Sequence, residues 1–205
     1  MVGFYQRRIL PHLINLAMCN RDLLPYRQRL LSAAEGRTLE IGIGSGLNLP
    51  FYPQDVREII GLDPSPELLA MVQQAAGRTS CPVKFMNASA EATPLDDRSI
   101  DTVITTWTLC SIPGASRALS EMRRVLKPGG HLLFVEHGLS PDANVRKWQD
   151  WLTSAWKRIG GGCHLNRPIR SMIENAGFNF TELETGYIKG PSPMTYLYQG
   201  RAKPI

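Results

Sequence analysis

Strand-length apolar runs alternate with helical-period segments along this chain, and a glycine-rich turn follows the first run directly. Together these predict an α/β protein built on a doubly wound, mostly parallel, seven-stranded sheet. At 205 residues the chain is one domain by size, large enough to cover such a sheet on both faces.

The predicted strands are Leu39 to Ile43, Val56 to Asp63, Val83 to Met86, Ile100 to Thr106, Leu132 to Val135, Phe178 to Tyr187 and Thr195 to Ala202. Residues 2 to 35 read as two helical pieces, the first interrupted by Pro11 and the second, Leu23 to Ala34, ended by Gly36. Pro64 to Ala76 reads as a helix with Pro66 in its first turn, where a missing N–H costs nothing. Ala115 to Leu126 carries Leu119, Met122 and Val125 at helical spacing, and Lys127 to Gly130 stops it. Asn144 to Ile159 and Pro168 to Ala176 supply two further helices. The domain divides into an N-terminal helical segment (1–36), a ligand-binding core (37–138), a helical lid or substrate segment (139–177) and terminal strands (178–205).

Composition narrows the function classes. Apolar content of 43% is ordinary for a globular protein, and no apolar run approaches the roughly 20 residues a membrane span needs, so the reading is cytoplasmic. Cys19, Cys81, Cys110 and Cys163 lie far apart with no C-x-x-C pair, which signals neither a disulfide framework nor a zinc site. A net charge of +5 allows weak peripheral attraction to anionic membranes, while no nucleic-acid module signature appears.

The stretch TLEIGIGSGLNL, Thr38 to Leu49, carries the ligand signal and reads as strand, glycine turn, helix. A dinucleotide fingerprint needs its third glycine five residues after the first, at Leu47, but Gly42 and Gly44 are followed by Gly46. Glu40, two residues before the first glycine, would repel a pyrophosphate and attract an amino-acid ammonium. S-adenosylmethionine (SAM) has that ammonium and no phosphates, whereas a nicotinamide dinucleotide is disfavoured on both counts. Asp63, 21 residues after Gly42, stands where an acidic residue accepts hydrogen bonds from ribose hydroxyls; capping of the following helix is its alternative role. Pro64, which follows it, and Thr105, which closes the fourth strand at the carboxyl edge, are further candidate cofactor-binding residues, and Ser89, Ala90 and Glu91 lie in a polar loop after the third strand, near an adenine in such folds.

LEIGIGSGLNL, GLDPSPELL, SAEATPLDDRSIDTVI and EMRRVLKPGG resemble the class I SAM-dependent methyltransferases over roughly residues 38 to 137. The resemblance implies that Glu40, Gly42, Gly44 and Gly46 hold the methionine part of SAM, that Asp63 binds its ribose and that Ser89 to Glu91 lie near its adenine. It also implies an antiparallel last strand and S-adenosylhomocysteine as product. LCSIPGASRALSEMRRVLKPGG, FVEHG and GGCHLNRPIRSMIENAGF are similar to the methyltransferase-like family that methylates alkyl thiols. GIGSGLNLPFY resembles soluble bacterial phosphatidylethanolamine N-methyltransferases, and the general pattern extends to quinone C-methyltransferases. The expected activity is methylation of a small molecule, with thiol S-methylation first, amine N-methylation second, and a noncatalytic SAM-binding partner protein as the alternative of another class.

A sulfonium methyl is already electrophilic, so such a protein must align a nucleophile and exclude water, with no further cofactor required. A thiol attacks as thiolate, and with a free pKa near about 8.5 it gains from a neighbouring base or cation. His137, at the end of the fifth strand beside Glu136, is the candidate catalytic residue by topology; an ordinary loop histidine is the competing reading. His131 belongs at the opposite edge, and His12 and His164 have no supporting constellation. Cys110 reads as a small buried hydrophobe, a covalent role lacking an adjacent base. Trp148, Trp151 and Trp156 form one stripe that suits core, lid or membrane surface.

Overall fold

A computed structural model describes residues 4–75, 77 and 79–205, so Ala76, expected to end a helix, lies outside the described residues. Seven strands form one sheet: β1 (Gly36–Ile41), β2 (Val56–Leu62), β3 (Val83–Met86), β4 (Ile100–Thr106), β5 (Leu126–His137), β6 (Phe178–Tyr187) and β7 (Tyr196–Pro204). Their order is β3-β2-β1-β4-β5-β7-β6, with β7 antiparallel to β5 and β6 and the β1–β2, β1–β4, β2–β3 and β4–β5 pairs parallel. Strand order reverses direction between β1 and β4, the switch point at which open α/β sheets bind ligands beyond their carboxyl ends.

The helices are α1 (Leu10–Met18), α2 (Leu24–Leu31), α3 (Pro66–Ala75), α4 (Ala115–Val125), α5 (Ala143–Ile159), α6 (Ile169–Asn175) and the single turn α7 (Ser192–Thr195). Side chains alternate along each strand, so the sheet presents two apolar faces. Leu39, Ile41, Val103, Leu132 and Phe134 pack against Leu119 and Met122 of α4 and Ile169 and Ile173 of α6. Ile59, Ile104, Leu133 and Val135 pack on the other face against Leu30 and Leu31 of α2 and Leu69 and Val72 of α3. The continuous apolar runs of the sequence are therefore central strands buried twice over. The outer strand β6 exposes Glu182 and Glu184, and charge on an edge discourages further strand pairing.

Three local expectations need correction. No full helix follows the glycine turn: Leu49–Phe51 makes one tight helical turn, because Pro50 and Pro53 cannot continue an α-helical hydrogen-bond ladder. Gly36 does not cap α2 but opens β1, at φ +66°. The Lys127–Gly130 segment stops α4 yet already belongs to β5, which starts at Leu126 and shifts register against β4 between Ile100 and Thr102. Among the described residues no helix is long and apolar enough to cross a membrane.

Candidate active site

The turn after β1 holds Gly42, Gly44 and Gly46 at φ +69°, +57° and +79°, a conformation that side-chain-bearing residues rarely adopt. Space divides the three. A Cβ on Gly42 would fall 2.4 Å from Thr108 Cγ2, and one on Gly46 would fall 2.5 Å from Val72 Cγ2. At Gly44 nothing stands closer than the Gly42 carbonyl at 3.9 Å. Gly42 and Gly46 are thus required by packing, while Gly44 leaves its side open for the backbone approach of a ligand.

Glu40 lies beneath this turn, 1% exposed. Its Oε1 accepts from Asn48 Nδ2 (2.7 Å) and its Oε2 from the Tyr52 hydroxyl (2.6 Å). Asn48 also donates to Thr106 Oγ1 (3.1 Å) and accepts from Arg27 Nη1 (2.6 Å), and the Arg27 guanidinium rests 4.8 Å over the Trp107 ring. Burial pushes the Glu40 carboxyl up to about 7, although the Tyr52 and Asn48 hydrogen bonds pull the other way. A carboxyl poised there ionises readily once a cation arrives.

Asp63, at the end of β2 and 5% exposed, does two things at once. Its Oδ2 accepts from the Gly44 N–H (3.1 Å) and its Oδ1 from the Ser65 N–H (2.9 Å), so it ties the glycine turn to the start of α3. The cap of α3 itself is Ser65, whose Oγ accepts from Leu68 N–H (3.3 Å). Burial raises the Asp63 pKa despite the backbone donors at Ser65 and Gly44. Pro64 follows at that edge. The loop after β3 stands beside it, with Asn87 Nδ2 donating to the Asp63 carbonyl (3.1 Å). In that loop Ser89 Oγ accepts from the Glu91 N–H (3.2 Å), Ala90 is buried, and Glu91 Oε1 accepts from the Gly114 N–H (2.8 Å). Thr105 departs from expectation. It is fully buried on the α4 face and donates to Glu136 Oε1 (2.8 Å), whereas Thr106 bonds into the Glu40 network. Strand alternation puts neighbouring threonines on opposite faces.

Beyond β4 and β5 the chain assembles a second constellation. Glu136, buried, accepts from the N–H groups of Thr108 (3.0 Å) and Leu109 (3.1 Å) and so shapes the turn that carries Cys110. Burial pushes its carboxyl up to about 7. His137, 9% exposed, lies with Nε2 3.1 Å from Cys163 Sγ, and among the described residues its Nδ1 has no hydrogen-bond partner. Cys110, His137 and Cys163 bring one donor atom each within 4.8 Å of one another. A hydrogen bond from Cys163, then the His137 charge, hold the Cys110 thiol well below the usual range, and the same bond raises Cys163. Burial alone would lower His137, but Cys110 outweighs it and the imidazole pKa is raised. Arg167 donates to the carbonyls of Leu109 and Ile112, the latter at 2.7 Å, and places a buried cation beside the thiols.

Cys110 therefore does have an imidazole nearby, and His164 is not isolated, since its backbone N–H and Nδ1 both contact the Cys110 carbonyl (2.9 and 3.2 Å). His131 sits at the opposite edge as expected, packed against the carbonyl of Ala33 (3.2 Å). Sequence reasoning missed Arg27, Asn48, Tyr52, Cys163 and Arg167. Trp107, at the carboxyl edge of β4, has φ +50°, a strained backbone that the sequence does not announce. The tryptophan stripe divides: Trp148 and Trp151 are exposed, Trp151 by 71%, while Trp156 packs against Cys110, Cys163 and Leu165.

Residues 39–134 match the family described as "Methyltransferase domain". The chain is 35% identical over 193 residues to human "Thiol S-methyltransferase TMT1B", covering 88% of this chain and 77% of that one. It is 36% identical over 110 residues to "Phosphatidylethanolamine N-methyltransferase" of Cereibacter sphaeroides, covering 52% of this chain and 53% of that one. Among solved structures, N-methyltransferase NodS from Bradyrhizobium japonicum shares the fold with TM-score 0.67 at 17% identity, over 91% of this chain and 99% of that chain. The chain belongs to the class I SAM-dependent methyltransferases. Within that class it is related to small-molecule methyltransferases, thiol S-methyltransferases among them.

Proposed function

We propose that this methyltransferase acts on the sulfur of a small thiol. The observation that carries the reading is the extent of similarity: the match to the human thiol S-methyltransferase runs through 88% of the chain, against 52% for the amine methyltransferase. The shorter match leaves about half of each chain outside it, and a shared fold does not by itself carry a shared acceptor.

SAM supplies an electrophilic methyl group on a sulfonium. The open side of Gly44 and the buried Glu40 fit its methionine end, Asp63 with Pro64 fits the ribose, and Ser89 to Glu91 line the place for the adenine. We assign Gly42 and Gly46 to shaping that turn and Thr105 to supporting, through Glu136, the turn that carries Cys110, rather than to touching the donor. On the acceptor side, His137 is the residue we assign to easing ionisation of the thiol, since a thiolate is the competent nucleophile. Chain residues around it, Leu165, Leu152, Trp156 and Met194, are apolar and keep water away from the reacting sulfur.

Incubation with methyl-labelled SAM and a panel of alkyl thiols, amines, quinols and phosphatidylethanolamine vesicles tests the assignment. Label in thioether products is expected. Label confined to lipid or amine transfers the chain to the N-methyl branch, and tight S-adenosylhomocysteine binding with no product from any acceptor makes it a noncatalytic binding protein.

A further inference from the structure

Three side chains that the chain order separates widely meet at the carboxyl edge of the sheet, and their chemistry differs from everything around them. Cys110 comes from the turn after β4, His137 from the last position of β5 and Cys163 from the loop after α5. The two loops are clipped together by the His164 N–H on the Cys110 carbonyl (2.9 Å), and Arg167 anchors both through Leu109 and Ile112. All three residues are buried, so the donor atoms are held by packed backbone and not by flexible side chains.

We propose that Cys110, His137 and Cys163 bind a divalent zinc ion through two thiolates and one imidazole nitrogen, leaving a fourth coordination position open to the acceptor thiol. Two sulfurs and a nitrogen are the donors that zinc prefers and that magnesium and calcium reject. Around tetrahedral zinc such donors stand roughly 3.6–3.8 Å apart. The observed 4.8 Å envelope and the 3.1 Å Nε2 to Sγ contact bracket that spacing. Cys110 Sγ also contacts the Trp107 carbonyl at 3.6 Å and Ser111 Oγ at 3.4 Å, and Nε2 of His137 is the ring nitrogen that faces the two sulfurs, while its buried Nδ1 has no hydrogen-bond partner among the described residues. Three protein ligands with one place left over are the arrangement of catalytic zinc, whereas structural zinc takes four.

The site also explains why it sits here. The turn that carries Cys110 begins with Thr108, whose side chain fills the space beside Gly42, so the cluster and the donor turn share one wall. Metal binding releases the protons of Cys110 and Cys163 to solvent. An acceptor thiol in the fourth position loses its proton to solvent as well, because a coordinated thiol is deprotonated. A new carbon–sulfur bond then forms as the donor's sulfonium–methyl bond breaks, its electron pair staying on the S-adenosylhomocysteine sulfur, and the neutral thioether dissociates. The fourth-position part rests on the thiol reading, and in it His137 serves as a ligand instead of a proton acceptor. The metal site itself does not depend on that reading.

The test is a cobalt(II) titration of the full-length, metal-stripped protein under anaerobic reducing conditions, with zinc counted on protein purified without chelator. One equivalent is expected to produce thiolate-to-cobalt charge transfer and the strong visible bands of four-coordinate cobalt, and the spectrum should move when a small alkyl thiol is added. Cys110→Ser and Cys163→Ser should each weaken binding by at least about 100-fold while Cys19→Ser and Cys81→Ser leave it unchanged. Circular dichroism melts confirm that the serine variants fold. A wild-type spectrum no different from cobalt in buffer, equal affinity in all variants, or a Cys110–Cys163 disulfide found by mass spectrometry in the reduced sample overturns the site. A cobalt spectrum that no thiol perturbs overturns the open position. Thiol methylation that survives complete chelation removes the metal from the reaction and keeps the thiol reading; a normal cobalt spectrum with no thioether product from zinc-loaded protein keeps the site and removes the reading.

Discussion

At the residue scale the pH behaviour of Glu40 is the most direct consequence. Its carboxyl ionises near about 7 in the folded chain against 4.5 for the ordinary side chain, so the native state holds a proton that the unfolded state has released between those values. Stability therefore falls as pH rises from about 4.5 to about 7, by about 3 kcal/mol from this group. Melting temperatures of wild type at pH 5.5 and 8 should show that loss together with a like one from Glu136, and Glu40→Gln should reduce the difference by the Glu40 share. Binding of S-adenosylhomocysteine should strengthen with pH over the same window in wild type and lose that dependence in the variant. A residue's type and place were legible here, because a carboxylate two positions before a glycine turn has few uses. Its burial was not, since Asn48 and Tyr52 fold back onto it from the turn after the glycines and Arg27 of α2 closes over Asn48. Asp63 stood out by its place 21 residues after Gly42, and Asp63→Ala is expected to weaken S-adenosylhomocysteine binding at least tenfold in calorimetry, having lost a charge-assisted contact and the tie to Gly44.

Elements show where periodicity is a sound guide and where it misleads. The buried strands could be read directly, because a strand covered on both faces has to be apolar at consecutive positions. The turn after β1 could be read from its glycines, but not the shortness of the helical turn behind it, which Pro50 and Pro53 decide. Within that turn the three glycines differ in a measurable way. Gly46→Ala should destabilise the fold by about 1–3 kcal/mol through the clash with Val72, whereas Gly44→Ala should lower stability by about 1 kcal/mol from φ alone and still block ligand approach. Parallel denaturant melts and ligand titrations separate the two. Helix α5 inverts its sequence pattern: the tryptophan stripe points largely outward, and its buried anchors are Gln149 and Thr153. Gln149 donates to the carbonyls of Gly138 (2.9 Å) and Pro193 (3.1 Å) and accepts from the Ser140 N–H (3.0 Å). Gln149→Ala should cost about 2–4 kcal/mol by leaving those groups unpaired, while Trp151→Ala stays within about 0.5 kcal/mol of wild type in the same urea melts.

On the scale of the whole molecule, the function we propose draws on two groups of residues that meet at one edge of the sheet. One is local in sequence, a strand with its glycine turn and the acidic residue of the next strand, and it could be found by spacing. The other is assembled from the ends of β4, β5 and α5, with 52 residues between its two cysteines, and only the folded chain brings them together. This division is physical: in the proposed reading the donor is held by backbone geometry written into a short stretch, while the acceptor meets side chains that converge only in space. The central claim is that this edge accepts the methyl donor and its product. Isothermal titration of the purified chain with S-adenosylhomocysteine measures it directly: one site per chain is predicted, abolished in Gly44→Ala and unaffected by NADH in tenfold excess. A well-folded wild-type chain that gives no binding heat at any accessible temperature, or one in which NADH competes, would contradict it.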